Sequence, residues 1–169
     1  FPVPLEKRAR PEGAFERSDP ALKILMVTSE ATPFAKAGGL ADAVSALSRA
    51  LSRAGPDVRM LLPRYYSIDR SSLELLDGPL AVPAAGGEEW TAVYRGTLPG
   101  SEVPVYFLDH ERSFGREGLY GDRAEPDFAD NPERFALLSR AAFALCRKLG
   151  WHPDILHAHD WPTALAPVY

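Results

Sequence analysis

The stretch LKILMVTSEATPFAKAGGLADAVSALSRALSRAGPDVRMLLP, from Leu22 to Pro63, decides the fold. Leu22 to Val27 is a short, nearly continuous apolar run, the pattern of a strand buried on both faces. Thr28 to Gly39 reads as a polar loop punctuated by Pro33, Gly38 and Gly39. From Leu40 the apolar residues Leu40, Ala43, Val44, Leu47 and Leu51 recur at steps of three and four, which predicts a helix with that stripe buried. Gly55 is placed to end it. Val58 to Leu62 makes a second strand, stopped by Pro63. Strand, helix, strand in this order is a βαβ unit, whose crossover demands parallel strands in a layered α/β domain.

Outward from this unit the pattern is less regular. Strand-like pieces fall at Leu73 to Leu76, Trp90 to Tyr94 and Val103 to Leu108, separated by Gly-Pro, Gly-Gly and Pro-Gly pairs, and they predict hairpins at the sheet edge. Asp109 to Asn131 is a long polar loop carrying Phe114, Tyr120 and Phe128. A second helix follows, with Asp130 or Asn131 as its cap, Pro132 in its first turn and Glu133 at the positive end of its dipole. Its stripe of Phe135, Leu138, Ala142, Leu145 and Leu149 faces the sheet, with Cys146 beside it and Gly150 closing it. Asp154 to Ala158 is the last strand, and Tyr169 falls within a helix expected after it. Residues 1–21, rich in proline and mixed charge without apolar period, read as a flexible leader. Their Glu6, Glu12, Glu16 and Asp19 are unlike a transit peptide, so a cloning scar or natural tail fits better.

Composition narrows the class. The chain has 169 residues, 46% hydrophobic and 25% charged, enough for one domain with a real core. A net charge of −4 argues against a general nucleic-acid or anionic-membrane surface, although a local basic site stays open. No run approaches the roughly 20 apolar residues that cross a bilayer. The lone Cys146 excludes an internal disulfide framework and a cysteine-rich zinc site, and the cytoplasm suits it best.

Two places could carry chemistry, because both fall at carboxyl ends of expected parallel strands, where open α/β sheets bind ligands. The first is Lys36-Ala37-Gly38-Gly39-Leu40-Ala41-Asp42. Adjacent glycines let N–H groups approach an anion, the helix amino end adds partial positive charge, and Lys36 adds a full one. The spacing matches neither the Walker pattern nor the dinucleotide fingerprint. A plain glycine turn with an exposed lysine, and Asp42 as dipole compensation, is the competing reading. The second is His157-Ala158-His159-Asp160-Trp161. Residues two apart on a strand share a face, so both imidazoles point to one side. His157 reads as a satisfied core histidine. His159 or Asp160 can grip ligand hydroxyls while Trp161 offers a flat face, a combination that suits sugars. A metal site on His157 and His159 lacks further ligands, since only His110 and His152 remain. Tyr120, Asp122 and Phe128 form a third, weaker constellation, suited either to stacking on sugar rings or to anchoring their own loop.

Lys23 to Val44 and Asp154 to Tyr169, with "LLPRY" and the "DN-x-x-RF" start of the second helix, resemble bacterial glycogen synthases and plant starch synthases. The resemblance covers nearly everything after residue 22. It implies the N-terminal Rossmann-like domain of a retaining glycosyltransferase of the GT-B type, occupying residues 22–169 and cut short at its C-terminal end. It further implies that the intact enzyme lengthens α-1,4-glucan with glucose from ADP-glucose, needing no other cofactor. By that resemblance Lys36 meets the nucleotide-sugar phosphates, with Gly38 and Gly39 bringing backbone donors, and Asp42 is the motif's acid. His159 becomes the catalytic-site histidine that holds the donor glucose near its hydroxymethyl group, with Asp160 and Trp161 shaping the pocket. Asp130 and Asn131, with Tyr120, Asp122 and Phe128 before them, fall where the glucan acceptor is received. Two departures stand out: Ala37 replaces a hydroxyl residue, and Ala41 a glycine, which would strain the chain if φ there were positive. The partners implied are ADP-glucose, glycogen and a second domain of the same enzyme holding most of the nucleotide surface, so that this chain alone is inactive. A glucan-binding module without transferase activity, or a metal-dependent hydrolase, are the alternatives.

Overall fold

The computed structural model describes residues 21–169, so the expected leader lies, but for Ala21, outside the described residues. In chain order the elements are β1 (Lys23–Val27), α1 (Leu40–Arg53), β2 (Asp57–Pro63), β3 (Glu74–Leu75), β4 (Leu80–Ala84), β5 (Gly87–Thr97), β6 (Pro104–Asp109), α2 (Glu111–Phe114), α3 (Asn131–Leu149) and β7 (Ile155–Ala158). The sheet runs β3-β5-β6-β2-β1-β7, with β4 paired to β5. The β6-β2-β1-β7 portion is parallel, and Val27 lies opposite both Leu61 and Ala158. The carboxyl ends of β1, β2 and β7 therefore lie side by side. Ile24 to Val27, Met60 to Leu62 and Val105 to Leu108 are all buried, which is why these strands read as apolar runs rather than alternations.

The edge is antiparallel as expected, since β5 pairs with β6 and with both β3 and β4. Trp90 to Tyr94 proves to be the middle of a longer strand, and β4 was not expected at all. Pro83 within β4 obscures the strand pattern, yet β4 pairs on one side only, and an edge strand tolerates the missing donor.

The stripe of α1 is the expected one in part, since Val44 is buried and Leu40 and Leu51 pack partly buried on the core. Ala41, Val44, Ser45 and Ser48 are its buried residues, whereas Ala43 is exposed and Leu47 largely so. Small residues let the helix lie close to the sheet. Their hydroxyls stay satisfied, Ser48 Oγ donating to Val44 O at 2.8 Å and Ser45 Oγ to Thr32 O at 3.0 Å. The stripe of α3 is as expected from Phe135 to Leu145, with Leu149 partly buried and Gly150 in the left-handed conformation at φ 57°. Asp130 occupies the N-cap as expected, but neither its side chain nor that of Asn131 accepts a backbone N–H of the first turn: Asp130 instead holds Arg116, and Asn131, the first helical residue, accepts from the Arg134 guanidinium. Among the described residues beyond β7 there is no α-helix. Two 3₁₀ turns, Trp161–Thr163 and Ala166–Val168, stand in its place; Pro162 is suited to a first turn, but Pro167 removes a donor that a helix continued from Trp161 would need. No described helix is long and apolar enough to cross a membrane.

Candidate functional site

The chain leaves β1 at Val27 and stays inside the protein for three polar residues, Thr28, Ser29 and Glu30, all buried. A buried carboxylate needs several donors. Glu30 has them: its Oε2 accepts from the N–H of Ala37 at 2.7 Å and of Gly38 at 3.0 Å, and its Oε1 from the Tyr120 hydroxyl at 2.7 Å. The backbone donor expected to be free at Gly38 is thus committed inside the chain. The N–H groups that open α1 have no intrahelical acceptor and remain for a ligand. Lys36 is exposed, and its ammonium meets Asp42 at 2.6 Å, while Asp42 also accepts from Thr32 Oγ1 at 2.7 Å. Those two hydrogen bonds, Lys36 first, hold the Asp42 carboxyl below its ordinary range.

Nothing in the fold itself demands glycine at 38 or 39. A Cβ added at either would meet no atom within 4 Å, and neither has a positive φ. The surface above them is open to solvent. Ala41 is unstrained: it lies buried inside α1, and among the described non-glycine residues only Asp160 has a positive φ.

At the end of β7, His159 N–H donates to Val27 O at 3.1 Å, extending the β1 pairing by one residue. His159 is 9% exposed, and its Nε2 has no partner among the described residues. His157 is exposed and not a core histidine, since β7 has no partner strand on its outer side among the described residues; its ring stacks on His159 with centroids 4.1 Å apart. Burial first, and the charge of His157 second, push the His159 pKa down to about 4, so its imidazole is neutral at pH 7. Asp160 adopts φ 62° and ψ −178°, a conformation held by its own Oδ1 accepting from Trp161 N–H at 2.7 Å and by Thr163 Oγ1 donating to His159 O at 2.9 Å. Strain of this kind, roughly 1–3 kcal/mol, collects at functional sites. No group of three or more metal-ligating side chains occurs among the described residues.

Trp161 is 52% exposed and rests on Tyr120 and Phe135, with centroids 5.4 and 5.2 Å away. Tyr120 thus touches both places: its ring backs Trp161 and its hydroxyl reaches Glu30. The segment from 109 to 131 is well tied. Tyr120 O accepts from Phe128 N–H and Asn131 Nδ2, both at 2.8 Å, and Asp122 Oδ1 accepts from the N–H groups of Ala124 and Glu125. Phe128 and Asn131 are buried and hold the segment's shape, while Tyr120 is half-buried and Asp122 exposed. Asp130 lines a groove of about 610 Å³ between the β4–β5 turn and the start of α3.

Sequence reasoning passed over Glu30 and Arg134. Arg134 is 1% exposed; it donates to Ser113 O and Leu119 O, and its guanidinium lies over Phe114, Phe128 and Phe135. The available signal was position: Glu30 follows a doubly buried strand by three residues, and Arg134 shares the buried face of α3. Arg64 and Asp109, at the ends of β2 and β6, form a further buried pair at 2.9 Å.

These features define an α/β domain of Rossmann-like type in which a lysine-bearing glycine turn and a histidine-bearing strand end follow two paired parallel strands. The model of the starch synthase catalytic domain matches residues 23–169. Glycogen synthase of Treponema denticola is 57% identical over 147 residues, spanning 87% of this chain and 30% of that protein. Glycogen synthase 1 of Geobacter metallireducens is 51% identical over 150 residues, with the same two coverages. A solved structure, the catalytic domain of starch synthase IV from Arabidopsis thaliana bound to ADP and acarbose, superposes with a TM-score of 0.74 at 34% identity, covering 87% of this chain and 29% of that one. The chain belongs to the starch synthase catalytic domain family, and its α/β fold is that of the family. It spans about 30% of the length of the curated relatives it matches.

Proposed function

We propose that the chain is the N-terminal, acceptor-side domain, residues 22–169, of a glycogen or starch synthase that transfers glucose from ADP-glucose to the non-reducing end of an α-1,4-glucan with retention. The observation that carries this is the adjacency of the Lys36 turn and the His159 strand end in a chain of this family. Lys36, released from Asp42, meets the diphosphate together with the leading N–H groups of α1 above Gly38 and Gly39. His159, neutral at working pH, holds a sugar hydroxyl by a hydrogen bond, with Asp160 beside it and the Trp161 face packing on the ring's apolar side. Asp122 and Asp130 offer carboxylates toward the acceptor from a segment shaped by Tyr120, Phe128 and Asn131. The relatives named glycogen synthase, and the starch synthase bound to ADP and acarbose, support this choice of substrates. The cytoplasm is the proposed location.

With about 30% of a relative's length, this chain alone does not turn over. Incubation with radiolabelled ADP-glucose and glycogen tests this: the full-length enzyme labels the glucan and the 169-residue chain does not. Labelling by the isolated chain would refute the assignment of the remaining machinery to another domain. The exposed Trp161 on its Tyr120 backing favours one second reading, a glucan-docking module. Retardation of the chain in a glycogen-containing gel, coupled with no turnover by the full-length protein, would establish it.

A further inference from the structure

The glycine turn raises a mechanical question. Gly38 and Gly39 have neither steric neighbours nor a special φ to hold them, and glycine surrenders more conformational freedom on ordering than any other residue. Yet the turn must hold Lys36 and the α1 amino end in one arrangement if they are to meet a ligand. Among the described residues one side chain grips its main chain from below. The Glu30 carboxylate, 4% exposed, takes the Ala37 and Gly38 N–H groups on one oxygen and the Tyr120 hydroxyl on the other. No Lys, Arg or His among the described residues forms an ion pair with it. Its charge is balanced by N–H and O–H dipoles, the same donors that hold phosphate oxygens in a turn of this kind.

We propose that Glu30 is the positioning residue for the donor end of this site: it sets the turn that presents Lys36, and through the Tyr120 hydroxyl it ties that turn to the aromatic wall under Trp161. The inference rests on the reading of the turn as the diphosphate-facing element. It has a consequence for recognition. Because the carboxylate already saturates Ala37 and Gly38, a diphosphate is met by Lys36 and the N–H groups that open α1, and by no more of the turn. Burial of Tyr120 and the neighbouring Glu30 raise the phenol's pKa, which keeps its proton available for the link. The Ser29 hydroxyl, 2.8 Å from the same phenol oxygen, completes the pattern.

The test uses the full-length synthase carrying Glu30→Ala, Glu30→Gln or Lys36→Ala, with KM measured separately for ADP-glucose and glycogen. Glu30→Ala is expected to raise the KM for ADP-glucose about tenfold or more, since small displacements of positioning groups cost that much, and to leave the KM for glycogen within about twofold. Glu30→Gln recovers most of the loss, because the amide oxygen accepts the two N–H groups and its NH₂ turns to the Tyr120 oxygen. Unchanged constants in Glu30→Ala would overturn the proposal. So would equal rises in both constants with a lowered Tm that glutamine fails to relieve, the mark of a general folding role. If Lys36→Ala leaves the KM for ADP-glucose unchanged, the underlying reading of the turn fails, whatever Glu30 does. In the 169-residue chain itself, Glu30→Gln should move the Ala37 and Gly38 amide proton resonances upfield together, as a charged acceptor is replaced by a neutral one. Amides that do not move would also overturn it.

Discussion

Neutrality of His159 is a property the fold imposes, and stability measured against pH can read it. The imidazole is pushed from 6.5 to about 4, by burial first and by His157 second. In the unfolded chain it titrates at its ordinary value, so between pH 6.5 and 4 the unfolded state binds the extra proton. The stabilising contribution is therefore complete above pH 6.5 and is lost as the pH falls toward 4. Fully expressed, a difference of this size is worth roughly 3 kcal/mol. The exposed His157 beside it opens the pair to solvent, and screening reduces the figure to about 1–2 kcal/mol. For a domain of this size, that is a loss of about 2–8 °C in Tm across the window. Thermal unfolding of the native chain and of His159→Asn at intervals from pH 7 to 4 isolates it, because only the native chain carries the slope from this residue. Imidazole resonances followed over the same range give the titration directly, and His157→Asn should move the His159 midpoint upward. A His159 that titrates near 6.5, or identical pH profiles for the two proteins, would refute the reasoning.

Further substitutions probe two other parts of the structure. Asp109→Ala removes the acceptor that the buried Arg64 guanidinium holds at 3.0 and 2.9 Å and leaves it the exposed Glu111 carboxylate and the Tyr65 carbonyl, both at 3.2 Å, so it should cost about 1–3 kcal/mol in denaturant unfolding. Adding Arg64→Met in the same chain should restore most of that loss. Gly38→Ala and Gly39→Ala should leave the Tm unchanged or slightly raised, because each Cβ enters open space, while raising the KM of the full-length enzyme for ADP-glucose.

Much of this architecture was readable residue by residue. β1, β2 and β6 announce themselves as apolar runs because each lies in the parallel core, where both faces are covered, while β7 was legible from Ile155 and Leu156 although it is only partly buried. Misreadings occurred where packing is not done by large apolar side chains. Around Val44 the buried face of α1 is completed by the small Ala41, Ser45 and Ser48, so the larger Leu47 was wrongly included in it. β4 is broken in pattern by Pro83 but carried by its single partner. At the site, Lys36 and the glycines were visible because anion chemistry needs those residue types at a helix start. Glu30 was not, because the value of its carboxylate depends on three donors brought from residues 37, 38 and 120 by the fold. His157 was misread for a related reason: only the sheet order shows that β7 has no partner strand on its outer side among the described residues, where His157 is exposed and His159 covered.

The most direct test of the central claim is the kinetic comparison of Lys36→Ala with the parent in the full-length enzyme, measured against ADP-glucose and glycogen in turn. Lys36 is exposed and bonded only to the exposed Asp42, so its loss should leave folding intact. The account predicts a rise of at least about tenfold in the KM for ADP-glucose, consistent with loss of a charge-assisted contact, with the KM for glycogen unchanged. An unchanged KM for ADP-glucose would contradict it.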